Sequence, residues 1–317
     1  MFVVGVDENG LGPLLGPLVT TAVTLEVARY QPERHGSIGR ELGIDDSKAT
    51  AGFGQMGMAE GLALAVFERL WGHTPRDVDA LFEGLLLDRP SALQSGCPSG
   101  SRAQCWSVQP GLPCLGGDIS KGRAILDGLT KRGIELTHVR SAVACAGTLN
   151  RLLREGQSRV EVDLELMERL VLDARAKCES EVRAICGMVG GIRSYPEKLR
   201  HVRREHLRPR RAQGGTLAYD VTGLGQLRFE IDADARHLPV AFASMLGKYV
   251  RELWMERQNR FYRGHQPELA EVSGYHDPVT RRFVKESKRL RVRLGIHDAC
   301  FERLNQAQVA AAQQSLE

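Results

Sequence analysis

The feature that most constrains this chain is a pair of adjacent acids, Asp7 and Glu8, at the end of a short apolar run. Residues 2–6 are apolar and β-branched, which is typical of a buried strand. Two carboxylates at the end of a buried strand are costly unless they are paired or bound to a cation. Because successive side chains on a strand point to opposite faces, both acids share one site only if the strand stops at about Asp7.

A breaker-rich turn, Asn9-Gly10-Leu11-Gly12-Pro13, follows the two acids. Its glycines supply a stop for the strand and leave backbone N–H groups available to a ligand. The stretch by itself also fits a simpler interpretation, in which a solvent-facing strand end leads into an ordinary turn.

Size and charge set broad limits on function. The chain has 317 residues, 42% of them hydrophobic, and a formal net charge of +4, so it can build a full core and accept a polyanionic partner. Basic residues concentrate at 198–211 and 281–293, where seven Lys or Arg accompany one acid in each run. Either run alone is better explained as a solvated helix face.

Targeting signals and cysteine patterns point to an intracellular protein. The sequence lacks a signal peptide, and no stretch approaches the roughly 18 consecutive apolar residues of a membrane span, so a cytoplasmic location is expected. The seven cysteines include a cluster of Cys97, Cys105 and Cys114 whose spacing fits no common zinc pattern. We interpret them as free thiols, with a loop-bound metal as the alternative.

The hydrophobic pattern predicts an α/β fold with a mixed sheet. Strands are predicted at residues 2–6, 18–27, 135–144, 181–189, 217–221 and 226–231, the first two being paired. Helices are predicted at 58–71, 77–87, 119–131, 148–154, 164–179, 195–204, 238–261 and 279–290, and residues 30–40 are expected to be a polar loop.

A resemblance to a known family appears in the second half of the chain. Asp234, Ser244, Lys248 and Arg251 are spaced as in the catalytic aspartate and following helix of type 2 ribonuclease H (ribonuclease HII), although Glu252 stands where the family has Asp. Three further motifs are similar to that family and occur in its order. They are Gly5-Val6-Asp7-Glu8-Asn9-Gly10-Leu11-Gly12-Pro13, Asp46-Ser47-Lys48 and Gly274-Tyr275. Residues 51–182 carry no motif that resembles the family.

The resemblance implies a ribonuclease H-like mixed β-sheet flanked by helices, with a helical C-terminal part. On this basis residues 1–305 are expected to form the domain, with an irregular Cys-containing insertion at about 95–117, and residues 306–317 a polar tail. A monomer is expected.

The resemblance also implies a carboxylate site for Mg²⁺ or Mn²⁺, built from Asp7, Glu8 and Asp234. Two such ions about 3.5–4 Å apart activate the attacking water and stabilise the leaving oxygen in phosphodiester hydrolysis. Asp232 is two residues before Asp234 and would face the same side if that stretch is extended.

Nucleic-acid contacts are implied in the same way. The backbone of Gly10, Leu11 and Gly12 would grip a ribose 2′-OH, and Tyr275 would pack on the neighbouring sugar. Leu11 replaces the family's Arg, so a cation near the phosphates is lost. Phosphate contacts are expected from Ser47, Lys48, Ser244 and Lys248.

One family carboxylate has no counterpart in this chain. The strand at 181–189 should end in an acid near Gly187, but Ile185-Cys186-Gly187-Met188-Val189 contains none. Asp220 or Asp232 would have to fill this gap for full metal affinity.

The function expected from the resemblance is metal-dependent hydrolysis of the RNA strand of RNA/DNA hybrids or of ribonucleotide-containing duplex DNA. The missing carboxylate supports an alternative, a weakened or inactive relative that binds such nucleic acids. A phosphate-binding ATPase that uses Asp7 and the glycine turn is a third and weaker interpretation, because no Walker-type Gly-Lys-Ser/Thr is present.

Overall fold

A computed structural model describes residues 1–45, 55–190, 192, 194–212 and 214–309. The strands within these ranges are β1 Phe2–Asn9, β2 Leu18–Val27, β3 Ile134–Ala144, β4 Val182–Gly187, β5 Leu207–Arg210, β6 Leu217–Val221 and β7 Gly225–Glu230. They form a seven-stranded sheet in the order β3-β2-β1-β4-β7-β6-β5.

Strand direction brings the site residues to one edge of the sheet. β1 is antiparallel to β2, which is antiparallel to β3, whereas β4 is parallel to both β1 and β7. The carboxyl ends of three parallel strands therefore meet at one edge, which is where open α/β sheets bind their ligands. Asp7, Gly187 and Glu230 lie at these ends.

The helices of the described residues surround this sheet. Their bounds are α1 Pro32–Glu41, α2 Gly57–Trp71, α3 Val78–Leu85, α4 Pro90–Ser95, α5 Ala103–Trp106, α6 Ile119–Thr130, α7 Ala146–Arg154, α8 Arg159–Lys177, α9 Ala233–Arg236, α10 Leu238–His265, α11 Pro278–Glu286, α12 Lys288–Arg293 and α13 Asp298–Phe301.

Both faces of β1 are covered, so its side chains are apolar without strict alternation. Val3 faces a core that includes much of α10, whereas Val4 and Val6 face a second core with α8. All three valines are fully buried. Gly5 permits the close approach of α10, because a Cβ there would lie 2.1 Å from the carbonyl carbon of Pro239. These contacts fix α10 across the strand that carries the acids.

The C-terminal helices pack on a third, smaller core. Met255 of α10 and Phe283 of α11 lie in it together with Leu15 and Phe301. The α/β class, the mixed sheet, its flanking helices and the helical C-terminal part are therefore confirmed. No helix of the described ranges has the length and apolar character needed to cross a membrane.

The segment at 95–117 is irregular except for the short helix α5. Glu60, which is fully buried in α2, fixes the C-terminal end of this segment. The carboxylate accepts hydrogen bonds from the backbone N–H of Cys114 at 2.8 Å, and from those of Leu115 and Gly117 at 2.7 Å each. The seven cysteines are all free thiols, as predicted.

Three local predictions are wrong. The polar segment at 30–40 contains α1, which begins with Pro32 at its first turn. Residues 195–204 do not form a helix; the backbone N–H groups of Arg200, His201 and Val202 bond to the buried carboxylate of Glu168 instead. β1 does not stop at Asp7 but continues to Asn9, which pairs with Val19 of β2.

Candidate active site

Asp7 and Glu8 come together over Gly187 although β1 continues past them. Val6 pairs with Cys186 of β4, so Gly187 follows beside Asp7 at the sheet edge. A Cβ built on Gly187 would lie 3.2 Å from Asp7 Oδ1 and 3.6 Å from Glu8 Oε2. The absence of a side chain at Gly187 therefore lets two carboxylates of opposite strand faces approach the same point.

Asp7 has a strongly perturbed environment. Burial raises the pKa of Asp7 well above its ordinary value, and the charge of Glu8 raises it further; Asp234 acts in the same direction. A hydrogen bond with the Ser244 side chain opposes these effects. Asp7 thus lies within electrostatic reach of both Glu8 and Asp234, and a bound cation would relieve the repulsion that Asp7 experiences.

The donor set fits a divalent cation only in part. No three His, Cys, Asp or Glu side chains in the described ranges are close enough together to hold a metal ion. Asp7 and Glu8 nevertheless place two carboxylate oxygens near one point, and such oxygens are the ligands that Mg²⁺ and Mn²⁺ prefer. These two residues would hold an ion, with Asp234 at the margin of the site.

Asp234 lies in the first turn of α9, after the end of β7, and its Oδ1 accepts a hydrogen bond from the Ala235 backbone N–H at 3.0 Å. The expected extended stretch with Asp232 is not formed, because Asp232 is an exposed left-handed residue with φ of 50°.

Asp220 is not positioned to replace the missing carboxylate. It pairs in register with Gln226, four residues before Glu230 on β7, which corresponds to about 13 Å along the strand. Its Oδ1 bonds to Arg210 at 3.0 Å. The structure therefore puts Asp220 towards the opposite end of the sheet, and Asp220 does not fill the gap at Gly187.

Two arginines outside the motifs, Arg303 and Arg159, donate hydrogen bonds to backbone carbonyls of the glycine turn. Gly10 has φ of 86°, and its carbonyl accepts a hydrogen bond from Arg303 Nη1 at 2.6 Å. The carbonyl of Leu11 accepts from Arg159 Nη1 at 3.4 Å. A guanidinium thus lies beside Leu11, supplied by α8 rather than by the turn. Gly12 is exposed, and a Cβ there would meet no atom within 4 Å.

Tyr275 lies close to this turn. Its side chain is 45% exposed, and the guanidinium carbon of Arg251 lies 4.7 Å from the centre of its ring. Gly274, with φ of 81°, accepts hydrogen bonds at its carbonyl from the backbone N–H groups of Leu14 and Leu15. These contacts fix the exposed ring beside the glycine turn.

Of the four residues predicted to contact phosphates, Ser244 and Lys248 lie within the described residues. Ser244 is only 2% exposed and its side chain bonds to Asp7, so it orients that carboxylate, and its contact with a phosphate stays a prediction. Lys248 is half-buried, and its charge, with that of Arg251, partly offsets the rise that burial causes in the pKa of Glu252. Ser47 and Lys48 lie outside the described residues.

Arg303 lies beside the glycine turn although no motif included it, and Asn9 belongs to the first motif but had no predicted role. Asn9 Nδ2 donates to the Ser244 carbonyl at 3.1 Å and ties β1 to α10. Arg303, only 2% exposed, also donates from Nε to the Gly16 carbonyl at 2.8 Å. A lone arginine far along the chain has no spacing that would connect it to residue 10.

Comparisons with known proteins point in one direction. No family model matches the chain. Ribonuclease HII of Methanothermobacter thermautotrophicus is 48% identical over 48 residues, which is 15% of this chain and 20% of that protein. The ribonuclease HII in its PCNA complex from Archaeoglobus fulgidus aligns over 96% of this chain and 95% of its own, with 19% identity and a TM-score of 0.47. The ribonuclease H2 of Pyrococcus horikoshii OT3 aligns over 95% and 92%, with 16% identity and a TM-score of 0.45. Over the 48 matched residues the chain is thus similar to a ribonuclease HII, and the match spans about a fifth of that protein's length.

Proposed function

We propose that this protein is a metal-dependent endonuclease of the ribonuclease H type, which hydrolyses the RNA strand of RNA/DNA hybrids or of ribonucleotide-containing duplex DNA. The observation that supports this most directly is the approach of Asp7 and Glu8 to one point over Gly187. Asp234 lies within electrostatic reach of Asp7.

The residues around the pair have distinct roles in this proposal. Asp7 and Glu8 would hold Mg²⁺ or Mn²⁺, and the chemistry such an ion would supply is activation of a water and stabilisation of the leaving oxygen. Ser244 orients the Asp7 carboxylate through the hydrogen bond between their side chains. The exposed backbone at Gly12 and the ring of Tyr275 contact the ribose, whose 2′-OH distinguishes RNA from DNA.

The test is cleavage of a labelled duplex containing ribonucleotides, measured with Mg²⁺, with Mn²⁺ and with EDTA. Asp7→Asn and Asp234→Asn should each lose metal-dependent cleavage while keeping the fold, as judged by circular dichroism. Asp220→Asn is the matched control, since it removes the same charge away from the site. Near-normal cleavage by the Asp7 variant would show that the site lies elsewhere.

The missing acid at Gly187 favours a second candidate, a protein that binds such duplexes and cleaves them weakly or not at all. With fewer carboxylates the site has less negative charge to hold dications. Tight, salt-dependent duplex binding by a wild type without metal-dependent cleavage would support this candidate over the first.

A further inference from the structure

A cavity of about 510 Å³ lies beside the candidate active site, where α1 and α9 overhang strands β4 and β7. Arg236 at the end of α9 lines it, two residues after Asp234. We call it the arginine pocket. Its charged lining residues are Glu33, Arg40, Arg183, Arg228, Glu230 and Arg236.

The positive charge in this pocket exceeds the negative charge that neutralises it. Glu230 bonds to Arg228 at 2.8 Å and to Arg236 at 3.3 Å. Within the described ranges, no carboxylate forms an ion pair with Arg183 or Arg40. The Nε of Arg183 is moreover buried without a hydrogen-bond partner. Two guanidinium groups of the pocket thus lack an anion.

The arginines are kept in place although they repel one another. Burial lowers the pKa of Arg183, and the charge of Arg228 on the adjacent strand lowers it further. Three other residues that line the pocket are joined by hydrogen bonds. His237 bonds through Nε2 to Glu230 at 3.1 Å and through Nδ1 to the Tyr30 hydroxyl at 3.0 Å. A preorganised group of like charges with an orphaned donor is an arrangement that a bound anion would stabilise.

The chemistry of the donors selects the class of anion. Guanidinium groups present planar forks of N–H donors that match phosphate oxygens, and here they approach from two strands and two helices. We propose that the arginine pocket binds a phosphate group. Its assignment to a backbone phosphate of the duplex, outside the scissile position, rests on the proposed function; a free phosphate is the other source.

The experiment uses Arg183→Gln, with Arg203→Gln as a control that removes an exposed arginine outside the pocket. The first arm measures Tm in inorganic phosphate and in chloride at matched ionic strength. Phosphate should raise the wild-type Tm by about 2 °C or more at saturating concentration. The Arg203 variant should show the same rise, and the Arg183 variant should not. Arg183→Lys keeps the charge and should recover part of the rise, which separates anion binding from a packing defect.

The second arm measures duplex affinity against salt concentration in EDTA, so that no cleavage occurs. For a backbone phosphate, Arg183→Gln should weaken binding about tenfold and reduce the slope of the log–log plot by about 1. If only the response to inorganic phosphate is lost, the pocket binds a free phosphate. If the Arg183 variant matches the wild type in both arms, the pocket is not a phosphate site. Because the first arm involves neither duplex nor cleavage, it stands even if the proposed nuclease function fails.

Discussion

Restoring a carboxylate at Gly187 is the most informative perturbation of the candidate site. In Gly187→Asp the new Cβ would lie 3.2 Å from Asp7 Oδ1, which is tight, but the flexible end of Asp7 needs to move by only a few tenths of an ångström. The new carboxylate would then join Asp7 and Glu8 at one point.

The effect of Gly187→Asp on stability and on Mg²⁺ affinity can be estimated from the charges of the carboxylates. Two unit charges about 4 Å apart at an effective dielectric constant of about 20 interact by about 4 kcal/mol. Without metal, the third carboxylate should therefore cost a few kcal/mol of stability or take up a proton. With a dication bound the sign reverses, and the affinity for Mg²⁺ should rise at least about tenfold, which is about 1.4 kcal/mol. Cleavage should become faster for the same reason.

The assay compares Tm and cleavage rate across a Mg²⁺ titration, beginning in EDTA. Gly187→Asn is the matched control, because it adds nearly the same volume without the charge. The aspartate variant should have the lower Tm in EDTA and gain more from Mg²⁺ than either the asparagine variant or the wild type. Identical Mg²⁺ responses for the two variants would refute the reasoning that Asp7, Glu8 and residue 187 share a cation site.

Three further predictions concern stability and recognition. Burial alone would raise the pKa of Glu230, but His237 and Arg228 lower it to about 2 from an ordinary 4.5, so its ionisation stabilises the fold above about pH 4.5. The free energy of unfolding should fall by up to about 3 kcal/mol more in wild type than in Glu230→Gln as the pH drops from about 5 towards 2. Glu60→Gln should lower the free energy of unfolding, measured in urea, by about 3 kcal/mol. The reason is that one of the two carboxylate oxygens that accept from three backbone N–H groups becomes an NH₂ donor. Tyr275→Ala should lower kcat/KM on ribonucleotide-containing duplex about tenfold with little change in Tm, since the ring is exposed.

Each of these has a clear contrary result. If the free energy of unfolding falls equally in wild type and in Glu230→Gln as the pH is lowered, the ion pairs of Glu230 add no net stability. The exposed Glu83→Gln is the control for Glu60, and equal losses in both variants would remove the special role of the buried carboxylate. Unchanged kcat/KM in Tyr275→Ala would exclude the ring from substrate recognition.

Elements with strong hydrophobic patterns could be predicted from the sequence. β1 and the first half of α10 are such elements, because each contains a continuous run of buried, largely apolar residues. That Asp234 acts electrostatically on Asp7 agrees with the site expected from the resemblance to ribonuclease HII. In contrast, α1 is polar, and its buried residues include two glycines: Gly36 lies close to Arg236, and Gly39 close to Leu238. Its burial depends on these tertiary contacts, which no local pattern reveals.

The misassigned segment at 195–204 has a similar explanation. Glu168 lies more than thirty positions earlier in the chain, on α8, and its carboxylate accepts three of the segment's backbone N–H groups. A helix would have satisfied the same donors locally, so propensity was overridden by one distant side chain. The meeting of Asp7 and Glu8 also depended on a neighbour, Gly187 of β4, rather than on the end of their own strand.

The arginine beneath the glycine turn has a consequence for biosynthesis. Gly10 and Gly16 leave the ribosome long before Arg303, yet their carbonyls accept hydrogen bonds from the Arg303 side chain. The backbone N–H of Arg303 also bonds to Leu14. The neighbours of β1 in the sheet, β2 and β4, are made long before Arg303, but the turn can take its final shape only after Arg303 has been made. A nascent chain would therefore carry its two acids on a formed strand while the glycine turn beside them stays unfinished until Arg303 has been made.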